Sequence, residues 1–422
     1  MSVASKPHRG IWDLLLVFFG KSATLLVVFA GGLMAARFGG ASVYGGFVAG
    51  ITLALLLDGV LGSAFDLRVL QVSSGELGDG GTESLQRAGF HLKWIVLACL
   101  LVIYLVSDAI WDFEGGSLPV WGAVAASFGI VLARSVALSL QMAGRFRLYS
   151  KLDVSQGALR MFGFCLLALF GAVSAEGFLF CYAAVGVLVV FWACGALGMR
   201  PVFGRLPSGK DASQFLSGLG AIFVVLALGA VTGRADLLAL SLQVDESSLA
   251  AYGAASQLTQ LLSQLALYAC VVTQPKVVRV WERGALARYV VANVGAAVGV
   301  GALCGLAFWL GMGEFVVRLL FGEDFSATVG ILEIMVWGGI VDLLVVPVFM
   351  TLGILKAPRM SAVAEAVVFI FFVVACGFLL GRGGLEWWLH GMAWIFVGTR
   401  LLKLVFYVAI VLGLRRPVVS AV

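Results

Sequence analysis

The sequence predicts an all-α integral membrane protein of about twelve transmembrane helices, arranged as two six-helix bundles. Hydrophobic residues make up 61% of the 422 residues and charged residues only 12%. The mean hydropathy is +1.06, which lies outside the range of soluble domains. Apolar stretches of about 20 residues recur, as a helix crossing a hydrocarbon core of roughly 30 Å requires. The chain also repeats itself, because residues 35–57 resemble residues 239–262.

The apolar stretches set the predicted spans. Leu, Ala, Val, Phe and Gly dominate them, and strict alternation never appears, which favours helices over a barrel. The spans are expected at 13–36, 43–64, 93–111, 119–142, 157–175, 177–199, 213–242, 248–273, 289–311, 326–352, 361–381 and 388–413. This gives six spans in each half of the chain.

The repeat places the two halves in register. At an offset of about 208 residues, Tyr44-Gly45 falls on Tyr252-Gly253, and LGMRP at 197–201 lies near the position equivalent to LGLRRP at 412–417. Internal duplication is a known way to build a transporter. We therefore expect an N-terminal bundle at 1–211 and a C-terminal bundle at 212–422, with a substrate path between them.

Basic residues in the loops predict that both termini are cytoplasmic, because cytoplasmic loops collect Lys and Arg. The outer side holds only Arg37, Arg318 and Arg382. The net charge of +5 reflects this bias and indicates anionic lipid head groups, not nucleic acid, as partners. The cytoplasmic segments collect Lys6, Arg9, Arg68, Arg87, Lys93, Arg145, Arg147, Lys151, Arg160, Arg200, Arg205, Lys210, Lys276, Arg279, Arg283, Arg288, Lys356, Arg359, Arg415 and Arg416.

The sequence offers no motif for catalysis, a metal or a cofactor. The three histidines are scattered, and all seven cysteines lie in predicted spans without metal-ligand spacing. Phe19-Gly20-Lys21-Ser22 imitates the end of a phosphate-binding loop, but Leu15 stands where its first Gly belongs. We expect no cofactor and no enzymatic activity.

Ionisable residues inside the predicted spans are the candidate functional residues, because charges are costly in a membrane and usually functional there. Mutual pairing of these residues is the alternative. The basic residues are Lys21, Arg134, Arg234, Arg400 and Lys403, and the acidic ones are Asp58, Asp236, Glu333, Asp342 and Glu365.

Arg400 and Lys403 stand three residues apart and therefore share a helix face. Two fixed positive charges suit a phosphate-bearing substrate, although they could instead neutralise carboxylates on neighbouring helices. Arg134 lies near the position equivalent to Asp342 in the repeat. These two residues are expected either to form a gating pair between the halves or to bind substrate.

The remaining charges have weaker assignments. Gly229 and Gly233 interrupt the seventh span beside Arg234 and Asp236, so this stretch is expected either to unwind towards a cavity or to end its helix near Gly233. Lys21 is a further substrate candidate, unless it extends to the cytoplasmic surface. Asp58 and Glu365 are expected to cap or pair, and Glu333 is a candidate for gating or ion coupling.

Four segments carry a resemblance to a known family. They are ARFGGASVYGGF (36–47), DGVLGSAFDLR (58–68), Asp236 with LAAYGAASQL (249–258), and LLFGEDFSATVGILEIM (319–335). The sequence resembles the polysaccharide-type, Wzx-like flippases for lipid-linked oligosaccharides. These belong to the multidrug/oligosaccharidyl-lipid/polysaccharide (MOP) exporter superfamily.

The resemblance implies two six-helix bundles around a cavity that opens alternately to the two sides. The expected substrate is an undecaprenyl-pyrophosphate-linked glycan, with Arg134, Arg234, Arg400 and Lys403 as candidate pyrophosphate ligands. Asp236 and Asp342 would serve gating or proton coupling. The expected location is the bacterial inner membrane, with a polysaccharide polymerase or export machinery as a further partner.

Three other functions fit the same sequence features. One is a cation-coupled exporter of small molecules or drugs within the same superfamily, for which the acidic residues matter most. The others are a membrane-embedded glycosyltransferase or polymerase and a scaffold of envelope assembly. Short loops on the outer side count against the glycosyltransferase and the polymerase, because both usually need a larger domain there to hold an acceptor.

Overall fold

The structure is a computed structural model that describes residues 7–71, 88–99, 102, 119–142, 145–197, 208–217, 219–282, 286–354, 358–379 and 384–413. All regular secondary structure in these ranges is helical, which confirms the predicted all-α fold class. A π-helical segment, Asp58–Gly62, joins α1 to α2. The helices are α1 Pro7–Leu57, α2 Ser63–Gln71, α3 Ala88–Cys99, α4 Val120–Met142, α5 Phe146–Leu169, α6 Ala175–Leu197, α7 Gly209–Ser217, α8 Gly220–Thr232, α9 Ala235–Ser241, α10 Glu246–Glu282, α11 Leu286–Trp309, α12 Met312–Leu320, α13 Thr328–Ile354, α14 Pro358–Leu379 and α15 Leu385–Gly413.

Every predicted span overlaps one of these helices. In the described part of the chain, seven helices are long and apolar enough to cross a membrane, and two bent pairs raise the number to nine. One of the seven, Leu25–Val69, contains most of the first two predicted spans. The protein is therefore a multi-pass membrane protein. The second half of the predicted span 93–111 lies outside the described residues.

A glycine separates the first two spans within α1. Gly40 has φ 72° and ψ −176°, a backbone conformation that residues with a side chain rarely adopt. The helix therefore breaks at Gly40 and resumes in a new direction, as the predicted turn after residue 36 requires.

Two of the basic residues assigned to the cytoplasmic side lie on helices that pack against others. Lys93 is only 2% exposed on α3. Arg160 lies on α5, which begins at Phe146 and not near residue 157. The first half of this helix is polar enough to resemble a loop, so the hydropathy pattern hides its start. Asp66, expected beyond the second span, also lies within a helix, because α2 continues to Gln71.

The helices form two compact units, Met1–Gly253 and Ala254–Val422. The duplication boundary between residues 211 and 212 stays a prediction. In the first unit, α4 and α6 approach so closely at Gly129 and Gly186 that a side chain at either position would overlap the opposite backbone. Such contacts through small residues are typical of membrane helices.

The second unit is organised around α13 and α15. Gly338 of α13 lies against the ring of Phe396 on α15. Val345, Val348, Ala364, Tyr407 and Ile410 form a buried core between α13, α14 and α15. This core holds the charged residues of α15 against α13 and α14.

Candidate functional site

Arg134 on α4 is the centre of a buried ion-pair network in the first unit. Its Nε donates to Asp66 at 2.7 Å, one Nη donates to Asp58 at 2.5 Å, and the other Nη donates to Ser63 at 3.1 Å. Lys93 donates from Nζ to the second oxygen of Asp66 at 3.0 Å. We call these five residues the Arg134 network. Its two cations and two carboxylates balance in charge.

Gly62, the last residue of the π-helical segment, makes room for this network. Asp58 and Asp66 are eight residues apart, close to two helical turns, so both carboxylates face α4. A Cβ at Gly62 would lie 2.5 Å from Asp58 Oδ1 and 3.3 Å from Arg134 Cδ. Glycine at position 62 therefore permits the contact between Asp58 and Arg134.

The expected pairing of Asp58 is confirmed, since it binds Arg134 within the first unit. The Arg134 side chain keeps 35% of its surface exposed, so part of it is accessible to a ligand. Its proposed pairing with Asp342 stays a prediction.

Span seven is interrupted, as the sequence predicts. Helix α8 ends at Thr232, Gly233 and Arg234 form a turn, and α9 begins at Ala235 with a bend of 49°. Asp236 is 4% exposed and accepts a hydrogen bond from Tyr252 Oη at 2.9 Å. Its carboxylate is thus engaged by a hydroxyl.

The guanidinium of Arg234 is not ion-paired within the described residues. Asp236 and Asp58 act on it only as nearby charges, and no carboxylate lies within 4.0 Å of it in that part of the chain. Arg234 is half-buried at the helix break. No described residue accepts a hydrogen bond from its guanidinium, so within that part of the chain its N–H donors can bind a ligand.

Arg160 on α5 is a second half-buried guanidinium, which the sequence analysis missed. It donates to Gln156 at 3.2 Å, and its Cζ lies 4.5 Å from the centre of the Tyr182 ring. Its Nε is buried without a hydrogen-bond partner in the described structure. Asp153 and Asp58 act on it as negative charges without bonding to it in the described structure.

In the second unit, Arg400 pairs with Asp342 of α13 at 3.6 Å, and Asp342 also accepts a hydrogen bond from Ser263 at 2.9 Å. Lys403 pairs with Glu365 of α14 at 3.0 Å, and Tyr407 donates to the same carboxylate. Both cations therefore have carboxylate partners on neighbouring helices, and Glu365 is paired as expected. Their role in substrate binding stays a prediction.

Two further candidates have different outcomes. Glu333 is exposed on α13, and no described side chain donates to it or pairs with it. The side chain of Lys21 lies outside the described residues.

The candidate site is therefore concentrated in the first unit. Arg134, Arg160 and Arg234 come from α4, α5 and the break between α8 and α9, and Asp58 acts electrostatically on all three. Only Arg134 bonds to that carboxylate directly. Buried guanidinium groups with free N–H donors are suited to bind a phosphate or carboxylate.

Solved structures with the same fold are membrane transporters and flippases, not enzymes. They include the lipid II flippase MurJ in an inward closed conformation, with a TM-score of 0.73, 14% identity, and coverage of 96% of this chain and 88% of that chain. A variant of the MATE transporter VcmN from Vibrio cholerae matches with a TM-score of 0.64, 13% identity, and coverage of 96% and 98%. A MOP-superfamily transporter from Pyrococcus furiosus matches with a TM-score of 0.63, 16% identity, and coverage of 96% and 94%.

These likenesses show that the chain has the fold of MOP-superfamily transporters. No family model matches the sequence, and no curated protein matches it.

Proposed function

We propose that this protein translocates an undecaprenyl-pyrophosphate-linked oligosaccharide, the repeat unit of a cell-surface polysaccharide, across the bacterial inner membrane by alternating access. Two lines of argument support the proposal. The fold is that of MOP-superfamily transporters, among them a lipid II flippase. The segments that resemble Wzx-like flippases include the residues around Asp58 and Asp236.

The half-buried guanidinium of Arg234 carries the proposal. A charge removed from water is costly unless a counter-charge with hydrogen bonds compensates it. Asp236 is engaged by Tyr252 and Asp58 by Arg134, and neither carboxylate lies within 4.0 Å of the Arg234 guanidinium. An anionic group of the substrate meets this requirement, and a phosphate accepts the hydrogen bonds of a guanidinium two at a time.

The drug-exporter alternative requires free acidic groups to attract a cation. Asp58, Asp236, Asp342 and Glu365 are each engaged by a described cation or hydroxyl. Glu333 is the acidic candidate without such a partner in the described residues. Because four of the five acidic candidates are already engaged in the described structure, an anionic substrate is favoured over a cationic one.

The other candidates complete the proposed cycle. Arg134 and the α15 residues Arg400 and Lys403 exchange their present carboxylate partners for the pyrophosphate as the transporter changes state. Asp236, Asp342 and Glu333 serve gating or ion coupling, and a polysaccharide polymerase or export complex receives the glycan. Both termini lie in the cytoplasm.

A cellular export assay tests this proposal. A host that lacks its own copy of the gene receives Arg234→Gln, Arg234→Lys or the control Arg318→Gln, whose side chain is exposed and paired on α12. We expect Arg234→Gln to abolish surface polysaccharide while lipid-linked glycan accumulates, Arg234→Lys to retain part of the export, and the control to match wild type. Wild-type export by Arg234→Gln at equal protein level would refute the proposed anion site.

A further inference from the structure

The Arg160 guanidinium is oriented by a ring and an amide, and no carboxylate in the described part of the chain bonds to it. The ring beneath its guanidinium belongs to Tyr182, which is 5% exposed and packs against Phe47 and Phe164 at ring distances of 6.4 and 6.3 Å. Gln156, one turn earlier on α5, accepts one hydrogen bond from Nη2. The stacking and this bond orient the plane of the guanidinium before any ligand arrives.

The hydrogen-bonding capacity of Arg160 is largely unused. A guanidinium has five N–H donors, and among the described residues Gln156 is its hydrogen-bond partner. Its buried Nε has none. Burial of an unsatisfied charged donor destabilises a protein, so a structure that keeps one buried suggests a ligand for it.

Two carboxylates offset the positive charge of Arg160 but accept none of its hydrogen bonds in the described structure. Asp153 and Asp58 lower the electrostatic cost at longer range. Asp58 is 7% exposed, and its Oδ1 also lacks a hydrogen-bond partner in the described structure. Asp58 stands in the same relation to Arg234. Asp58 therefore acts on both arginines as a charge, and neither of them bonds to it among the described residues.

We infer that Arg160, backed by Tyr182, is a second anion-binding residue of the first unit, in addition to Arg234, with a diphosphate as its ligand class. Asp58 acts as an internal competitor there, because its charge repels the bound anion and limits the affinity. A transporter must release what it binds, and this repulsion favours release. The inference rests on the proposed function, which Arg234 carries by itself.

The test titrates the purified full chain in phosphatidylcholine nanodiscs with inorganic pyrophosphate, and separately with farnesyl diphosphate added to the discs. Arg160→Gln is expected to weaken binding of both probes by about tenfold or more, the usual effect of losing a charge-assisted hydrogen bond. Arg160→Lys keeps the charge without the planar fork and is expected to fall between Arg160→Gln and wild type. Arg147→Gln, at the exposed start of the same helix, is the matched control.

Two variants of Tyr182 distinguish the effect of ring stacking on Arg160 from a general effect on packing. Tyr182→Phe keeps the ring and is expected to bind like wild type, whereas Tyr182→Leu is expected to weaken pyrophosphate binding several-fold by releasing the guanidinium. Thermal unfolding without ligand reports on folding for every variant. If Arg160→Gln fails to fold, Arg160→Lys decides, and wild-type affinity in the lysine variant overturns the inference.

The outcomes separate this inference from the proposed function. Unchanged affinity in Arg160→Gln, with lost affinity in Arg234→Gln, overturns the role of Arg160 and leaves the transporter proposal intact. Binding of inorganic pyrophosphate but not of farnesyl diphosphate supports the Arg160 site and counts against a lipid-linked substrate. Failure of the wild-type protein to bind either probe overturns the site.

Discussion

The Arg134 network gives the sharpest stability prediction. Asp66→Asn removes the carboxylate that Lys93 and Arg134 share, while the side chain keeps its size. Arg134 retains Asp58 at 2.5 Å and Ser63 at 3.1 Å, so the larger loss falls on Lys93. Lys93 is 2% exposed and bonds to Asp66 at 3.0 Å. Breaking one side of a buried pair costs about 3–5 kcal/mol.

We expect Asp66→Asn to lower the free energy of unfolding by about 3 kcal/mol, because Arg134 keeps its other partners. Adding Lys93→Met removes the orphaned charge and is expected to recover about 2 kcal/mol, a coupling within the range for contacting residues. The measurement is unfolding in detergent micelles followed by tryptophan fluorescence.

A surface ion pair serves as the control for the Asp66 and Lys93 variants. Glu323 is 79% exposed in its side chain and lies 3.7 Å from Arg318, so Glu323→Gln is expected to cost less than about 1 kcal/mol. The reasoning is refuted if Asp66→Asn costs no more than this control. It is equally refuted if the Lys93→Met change adds to the loss.

Three further predictions concern other parts of the chain. Gly62→Ala places a methyl group 2.5 Å from Asp58 Oδ1, so we expect lower thermal stability and reduced export. Hydrogen bonds from serine hydroxyls hold the pKa of Asp245 below its ordinary value of 3.8. The stabilising cap of its carboxylate on α10 is therefore complete above pH 3.8 and is lost as the pH falls through the lower pKa. Asp245→Ala is expected to lower the free energy of unfolding by about 1 kcal/mol at neutral pH. Arg400→Gln combined with Asp342→Asn is expected to restore folding relative to Arg400→Gln but not export.

Each of these predictions has a result that would contradict it. Gly195 has open space around it, and equal effects of Gly62→Ala and Gly195→Ala would argue against the steric reasoning. A loss in Asp245→Ala that persists unchanged in strong acid would argue against the carboxylate cap. Full export by the Arg400 and Asp342 double variant would show that Arg400 only neutralises its partner.

The sequence predicted the helices well because a membrane span is a matter of length and hydropathy. Predicted span 119–142 is within one residue of α4, and predicted span 361–381 is close to α14. The break at Gly233 was also predictable, since glycines and two charges stand together there. These features are local and need no knowledge of neighbouring helices.

The pairing of charges was not predictable from the sequence. Lys93 stands within an apolar helix, and Arg160 follows a polar first half of α5, so hydropathy alone does not show what either cation contacts. Which cation keeps free donors depends on packing between distant segments, such as the approach of Tyr182 to Arg160 and of Tyr252 to Asp236. The sequence left two roles open for Arg400 and Lys403, binding a phosphate or neutralising nearby carboxylates, and only the structure identifies Asp342 and Glu365 as their partners.

Translocation by the purified protein tests the central claim most directly. Proteoliposomes would carry a fluorescent polyprenyl-diphosphate oligosaccharide on one leaflet, and an impermeant quencher would report its appearance on the other. Our account predicts protein-dependent translocation that is lost in Arg234→Gln and kept in Arg318→Gln. Export of a cationic dye without movement of the diphosphate lipid, at the same rate in both variants, would contradict it.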